Sequence, residues 1–291
     1  MTVPKYKPYL GGQGGVHIGL KPIEKKRWLE IDDKFQTEIS LKKDLLITQR
    51  EKVLQSTSTS KESQIEMLGE ILSYLKEFHN EKYEITKDHI LVKATKDKYE
   101  LSPSNLLPIE LASLLIQEDL VLMIPKDDDF FLEAASLSSP SHWSLIEKFS
   151  KSLMNIHNEV PDYKDKIGQR VDQIFKRLPT DKILERHNWS IYDSPTLFQP
   201  IQSKSEVKIK NKSAKDLFLR VERQTIRKLP LSQTVLFTTR VHVDPIVSII
   251  DDDYLLESLG LAITRLSPEM KKYKAIDQFE EQVLEWIQSK R

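Results

Sequence analysis

Residues 219–228 read LRVERQTIRK, and residues 234–243 read TVLFTTRVHV. Leu217, Leu219 and Val221 alternate with other residues and Pro230 closes the first run, the period-two mark of a strand with a buried face. The PLSQ turn joins the two runs, so they pair as a hairpin. Alternation puts Arg223, Thr225 and Arg227 on the face of Leu219 and Val221, and Arg220, Glu222 and Gln224 on the other. Both faces of a strand that reads as buried therefore carry charge.

Working outward, HNWSIYD (187–193) reads as a short strand before the hairpin, and FFLEAASLSS (130–139) as another after the PKDDD turn. PIELASLLIQEDLVLM (108–123) starts as a helix behind Pro108 and runs toward a strand. Between these strands lie two helical patterns. One starts at Pro140 and Ser141 and aligns Trp143, Ile146, Phe149, Leu153 and His157 on one face; the other covers roughly residues 164–177. Helical patterns also fill Pro22 to about Val53, the stretch holding Ile65 to Leu75, and the C-terminal 40 residues. The order is helices, strand, helices and three strands, then helices, which is an α+β chain built on a mainly antiparallel sheet with added N- and C-terminal helices. Residues 1–18, with GGQGG, are expected as a flexible arm, and SKSEVKIKNKSAK (203–215) as a solvated loop or edge.

Composition narrows the chemistry. Lysine plus arginine equals aspartate plus glutamate at 44 each in 291 residues, so no overall basic field draws nucleic acid or an anionic membrane. No apolar run is long enough to span a bilayer and the N-terminus lacks a secretory apolar segment, so a cytoplasmic chain without membrane contact is expected. The chain has no cysteine, which removes disulfides, thiolate nucleophiles and any iron–sulfur cluster ligated by this chain. Metal chemistry is left to seven histidines, His17, His79, His89, His142, His157, His187 and His242, with carboxylates and tyrosines.

His242-Val243-Asp244 supplies two of the three ligands of a non-haem iron triad, but no later histidine completes it. GGQGG lacks the Lys-Ser/Thr of a phosphate loop, and no G-x-S-x-G is present. His157 ends an apolar stripe, where a neutral imidazole either bonds the backbone or offers a nitrogen to a metal or haem iron. For the arginines two readings stand. Arg223, Arg227 and Arg240 pair with Glu222, Asp119 or Glu118 in a structural network, or they form an anion site, for which arginine's two-point fork suits carboxylates.

LEIDDKF (29–35), LIQEDLVLM (115–123), AASLSSPSHWSLIEKFSKSLMNIHNEVPDY (134–163), RHNWSIYD (186–193), LFQP (197–200) and the hairpin strands, in this order, resemble the haem-dependent oxidative N-demethylase family, its haem-bearing α subunit in particular. The resemblance implies one domain over 19–291 with a PAS-like core at about 105–250. It implies haem b, whose iron activates oxygen so that a small secondary amine loses a methyl group as formaldehyde. Electrons then come from partner reductase chains carrying flavin, an iron–sulfur cluster and NADPH. By motif position His157 is the proximal ligand, and Arg220, Arg223, Arg227 and Arg240 are expected at the haem propionates, with Arg223 and Arg227 favoured as a pair. Charge complementarity makes Glu222 or Asp119 the holder of the substrate ammonium. The chain departs from the family pattern at His142, where an arginine is usual, and at Glu159, where proline is, which bears on propionate binding and substrate choice. A PAS-like sensor that binds haem or a small ligand without catalysis is the alternative expectation, and a structural protein that has lost the cofactor is a third.

Overall fold

The computed structural model describes residues 3–13, 18–102, 104–161, 163–201 and 213–290. Its elements in chain order are β1 (Lys21–Ile23), α1 (Phe35–Thr48), α2 (Arg50–Val53), β2 (Leu54–Ser56), α3 (Lys61–Phe78), β3 (Tyr83–Ile85), β4 (His89–Val92), β5 (Asp97–Glu100), α4 (Pro108–Ser113), β6 (Asp119–Lys126) and β7 (Asp129–Ser136). There follow α5 (Leu145–Lys148), α6 (Leu153–Ile156), a π-helical segment at Tyr163–Gly168, α7 (Gln169–Arg177), β8 (Ile183–Tyr192), β9 (Phe218–Lys228), β10 (Val235–Pro245), α8 (Asp253–Thr264), α9 (Pro268–Tyr273) and α10 (Glu280–Gln288).

The expected hairpin is the centre of the molecule. β9 and β10 pair antiparallel in a seven-stranded sheet of order β1-β8-β9-β10-β6-β7-β2, and β3, β4 and β5 form a separate three-stranded sheet. The fold is α+β with antiparallel pairing throughout, as the alternation implied. Two strands, β6 and β7, precede the helical segment and three, β8 to β10, follow it.

Both faces of the large sheet are covered. Leu120, Leu122 and Leu236 pack with Ile39, Met67 and Ile71 of the N-terminal helices. Trp189, Ile191, Leu219 and Val221, on the same face but further along, pack against Leu255, Leu259 and Val283 of the C-terminal helices. The opposite face carries Val121, Met123, Ile226 and Val235, which meet Leu145, Leu153 and Phe175 from the segment between β7 and β8. Double coverage explains why charge on either face of β9 lies inside the protein.

Three sequence expectations change. The single helix expected from Pro22 to Val53 begins only at Phe35, after β1 and a short 3-10 turn at Lys25–Arg27. The helix expected over 140–157 is two short turns, α5 and α6, broken where Ser150 takes a φ of 58°. There the Leu132 N–H donates to the Lys151 carbonyl at 3.0 Å and the Ser150 N–H donates to the Leu132 carbonyl at 2.8 Å, so pairing with β7 outcompetes helix continuation. The third change is the arm. Of SKSEVKIKNKSAK, residues 203–212 lie outside the described residues, as do 14–17 of the N-terminal arm.

The described part of that arm, residues 3–13, is docked rather than flexible. Tyr9 is fully buried and meets Trp189 edge-on with ring centroids 5.8 Å apart. Tyr6 donates to Glu30 at 2.6 Å, and Arg265 donates to the carbonyls of Gly11 and Gly12 at 3.1 and 3.0 Å. Gly12 has a φ of +68°, and a Cβ there would lie 2.6 Å from the Leu261 Cβ. Gly12→Val is therefore expected to undock the arm from α8 and lower the melting temperature by a few degrees, at a cost of about 1–3 kcal/mol. Unchanged melting of that variant would place the arm outside the cooperative fold.

Candidate functional site

Alternation along β8 and β9 aims Arg186, Asn188, Arg220, Glu222, Gln224 and Ile226 at the face away from the N-terminal helices, in register as Arg186 beside Gln224 and Asn188 beside Glu222. These side chains line a cavity of ≈ 330 Å³ between the sheet and the segment joining β7 to β8, within the size range of small-molecule and cofactor pockets. Most of its remaining wall is apolar, including Val121, Met123, Leu153, Ile156, Phe175 and Phe237.

His157 caps the C-terminal end of α6 and lines this cavity. Its Nδ1 meets the Leu153 carbonyl at 2.8 Å, and its ring stacks on Tyr163 with centroids 4.4 Å apart and planes 8° apart. Burial pushes its pKa down, the Leu153 bond works the other way, and Arg186 and Lys148 push down again. The ring is thus neutral near pH 7. With Nδ1–H given to a carbonyl, the lone pair sits on Nε2, the tautomer a metal ligand needs. Among the described residues no group of three or more His, Asp or Glu gathers as a metal site.

The four expected propionate arginines divide. Arg220 lines the cavity. Its Nε donates to Ser141 Oγ at 3.0 Å, and its terminal nitrogens to the carbonyls of Ser139, Pro140, Thr196 and Leu197. Arg220 thus ties together two loops at the cavity rim, and among the described residues no carboxylate forms a close ion pair with it, Glu222 and Asp119 acting on its charge from a distance. Arg223, Arg227 and Arg240 lie on the far face. Arg223 pairs with Glu185 at 2.8 Å, Arg227 with Glu70 at 2.7 Å, and Arg240 with Asp32 and Glu38 at 2.8 Å each. The expected Arg223–Arg227 pair therefore does not face the cavity. Leu219 and Val221 mark one of two buried faces, and the cavity opens on the other. Of the two readings of the arginines, the structural network describes these three, with partners other than Glu222, Asp119 or Glu118.

The two candidate carboxylates both line the cavity. Asp119 is committed: it accepts from Ser138 N at 2.8 Å, Ser138 Oγ at 2.7 Å and Ser139 N at 2.9 Å, and so fixes the turn leading to His142. Glu222 is more open. Its Oε2 accepts from Gln224 at 2.8 Å and Asn188 at 3.3 Å, and its Oε1 accepts nothing from the described residues. Beside it stand three groups outside the expected set. Burial lowers the Arg186 guanidinium's pKa, its Nε is buried without a partner, and no described carboxylate pairs with it. The Tyr163 hydroxyl is likewise buried without a partner. Lys274 is held by Asn188 Oδ1 at 2.5 Å and the Trp189 carbonyl at 2.6 Å. RHNWSIYD carried the signal for Arg186 and Asn188, since its polar residues alternate with Trp189 and Ile191 as in β9. Nothing local in the sequence marks Lys274, which reaches the site from the end of α9.

The two departures also have places. His142 lines the cavity, stacks on Tyr192 at 4.4 Å, and is pushed down to about 4 by burial and by Arg220, so it is neutral where a family arginine would be charged. Glu159 pairs with Lys148 at 2.7 Å at the cavity wall. Haem fits this donor set: a neutral histidine with one nitrogen anchored, apolar walls for a flat macrocycle, and buried arginines that form no close ion pair with a described carboxylate, for its two propionates. Beyond this geometry, the model of the family described as haem-dependent oxidative N-demethylase, alpha subunit-like, matches residues 19–284, and the chain belongs to that family.

Proposed function

We propose that this chain binds haem b in the cavity between the sheet and α6, on a PAS-like core, and supports oxidative removal of a methyl group from a small secondary amine. The observation that carries this reading is His157: its Nδ1 is fixed by Leu153 and it lines an apolar cavity beside Arg186, whose Nε is buried without a hydrogen-bond partner. Two strands, a helical segment bearing His157 and three further strands agree with the PAS-like expectation. When bound, haem supplies the oxidising chemistry. Overall, the amine, dioxygen, two electrons and two protons yield the demethylated amine, formaldehyde and water.

The chain's own residues bind and orient. His157 would hold the haem iron through Nε2, and Arg186 and Arg220 would balance the propionate charge. The free Oε1 of Glu222 takes the substrate ammonium, a task Asp119 is less free to perform with both its oxygens held by the Ser138–Ser139 turn. Val121, Ile156, Phe175 and Phe237 keep water from the reacting methyl group. Electrons arrive from separate reductase chains bearing flavin, an iron–sulfur cluster and NADPH, a division of labour that suits a chain without cysteine. Among the described residues no helix is long and apolar enough to cross a membrane, and the same reading puts the protein in the cytoplasm.

Reconstitution with haemin tests the proposal. The expected result is a protein-bound Soret band and, with dimethylamine, oxygen and a reductant, formaldehyde formed in step with amine loss. No spectral shift on adding haemin would sink the proposal. Bound haem without formaldehyde would favour a ligand-sensing role instead.

A further inference from the structure

We propose that Lys274 is a positioning residue for Glu222, setting through the Asn188 amide how strongly the cavity carboxylate holds a small monocation. The inference rests on the reading of Glu222 as the ammonium site. Lys274 follows directly on α9 and reaches across to β8, where its Nζ donates to Asn188 Oδ1 at 2.5 Å and to the Trp189 carbonyl at 2.6 Å. With its oxygen claimed, the Asn188 amide turns its nitrogen to Glu222 Oε2 at 3.3 Å, and Gln224 donates to the same oxygen at 2.8 Å. Lys274 and Glu222 are therefore an ion pair bridged by an amide, in which one carboxylate oxygen is bonded twice and the other is open.

A substrate ammonium at that open oxygen shares the Glu222 field with Lys274. The charged and titratable groups facing Lys274 are Glu222 on β9, Arg186 on β8 and its neighbour Tyr273, with the Trp189 ring 5.7 Å away. Burial is the largest influence on Lys274, Glu222 works against it and Arg186 with it, and together they bring the ammonium down to about 8. Below that pH Lys274 competes with the substrate's charge; above it the competition disappears. By reciprocity, a second cation at Glu222 drives the proton off Lys274.

Calorimetric titration of the full chain with dimethylammonium chloride, which stays protonated from pH 6.5 to 9, reads this directly. The wild type is expected to bind about tenfold more tightly at pH 9 than at pH 6.5, the size of a coupling worth one pKa unit. In two buffers of different ionisation heat near pH 8, binding should release a fraction of a proton. Lys274→Met should give a flat pH profile and no proton release. Lys274→Arg, which keeps the charge and donors but does not titrate in this range, should be flat at the weaker affinity and serves if the methionine variant does not fold. A Lys274→Met or Lys274→Arg protein that keeps the wild-type slope and proton release would overturn the inference. Glu222→Gln separates the two claims: binding unchanged in that variant would remove the ammonium site itself, whereas weakened binding with the slope intact in the Lys274 variants would remove only the role of Lys274.

Discussion

On the proposed reading, in which His157 would hold the haem iron, alanine in its place is expected to displace the Soret band of the reconstituted protein and to lower formaldehyde release. The loss should exceed the roughly 10–100-fold typical of changes in a metal ligand's surroundings, because the residue proposed to hold the iron is itself gone. The fold should survive. The substitution removes the Leu153 hydrogen bond and the stacking on Tyr163, about 1–2 kcal/mol against a typical stability of roughly 5–15. Free imidazole, entering the space the ring leaves, should restore the spectrum in part. The pH behaviour follows from the lowered pKa of His157: since the neutral ring would be the ligand, protons should compete for Nε2 only below the ordinary histidine range. Ligation should therefore hold as pH falls through 6.5. An unchanged spectrum in His157→Ala, with displacement instead in His142→Ala or His187→Ala, would move the ligand to another cavity wall.

The site was legible in the sequence to different depths at different residues. Period-two alternation located β9 and β10 and sorted Arg220 and Glu222 from Arg223 and Arg227 correctly. What it lacked was a sign. In a sheet solvated on one side the apolar face is the inside, but here helices cover one face and the β7–β8 segment covers the other. The apolar residues Leu219 and Val221 therefore pointed to a core without saying whether that core was the ligand's. The helical stripe ending at His157 was also incomplete. Trp143, Ile146, Phe149 and Leu153 fit one helix by spacing, yet Ser150 and Lys151 leave the helix to bond the edge of β7. That competition is tertiary, so propensity within the segment could not reveal it. His157 lines the cavity nonetheless, because the final turn, α6, is all its position requires.

Replacing Arg223 by methionine should give the largest loss of stability, and that loss should depend on pH in a defined direction. Arg223 lies directly across from Arg240 in the β9–β10 register, a like-charge pairing that destabilises a sheet unless anions intervene. Glu30, Glu185, Asp32 and Glu38 do so: Glu185 holds Arg223 at 2.8 Å, Glu30 stands 4.0 Å away, and Asp32 and Glu38 hold Arg240. Arg223 also donates to the carbonyl of Trp28 at 3.0 Å and to that of Arg27, fastening the segment before α1 to the sheet. Removing one partner of such a buried network costs about 3–5 kcal/mol, or roughly 5–8 °C in melting temperature for a chain of this size. Arg227→Met, which loses the pair with half-buried Glu70 and the stacking over Trp28 at 4.4 Å, should cost less.

The pH dependence identifies the cause. Burial by itself raises the Glu30 carboxyl, but hydrogen bonds from His242, Lys5 and Tyr6 and the charge of Arg223 outweigh it and hold the group well below the usual carboxylate range. A carboxyl depressed in the folded state contributes stability that is present above its unfolded value, near 4.3, and is lost as pH falls toward the folded one. Without Arg223 that depression shrinks, so less of this stability exists to be lost. Thermal unfolding should therefore show the widest gap between wild type and Arg223→Met at neutral pH, narrowing as pH falls below about 5, where protonation relieves the carboxylates the arginine had neutralised. A gap of constant width from pH 7 to pH 4 would assign the loss to packing and to the two carbonyl bonds. In that case the arginines behind the sheet would be fasteners for the Arg27–Trp28 segment, with the carboxylates around them as bystanders.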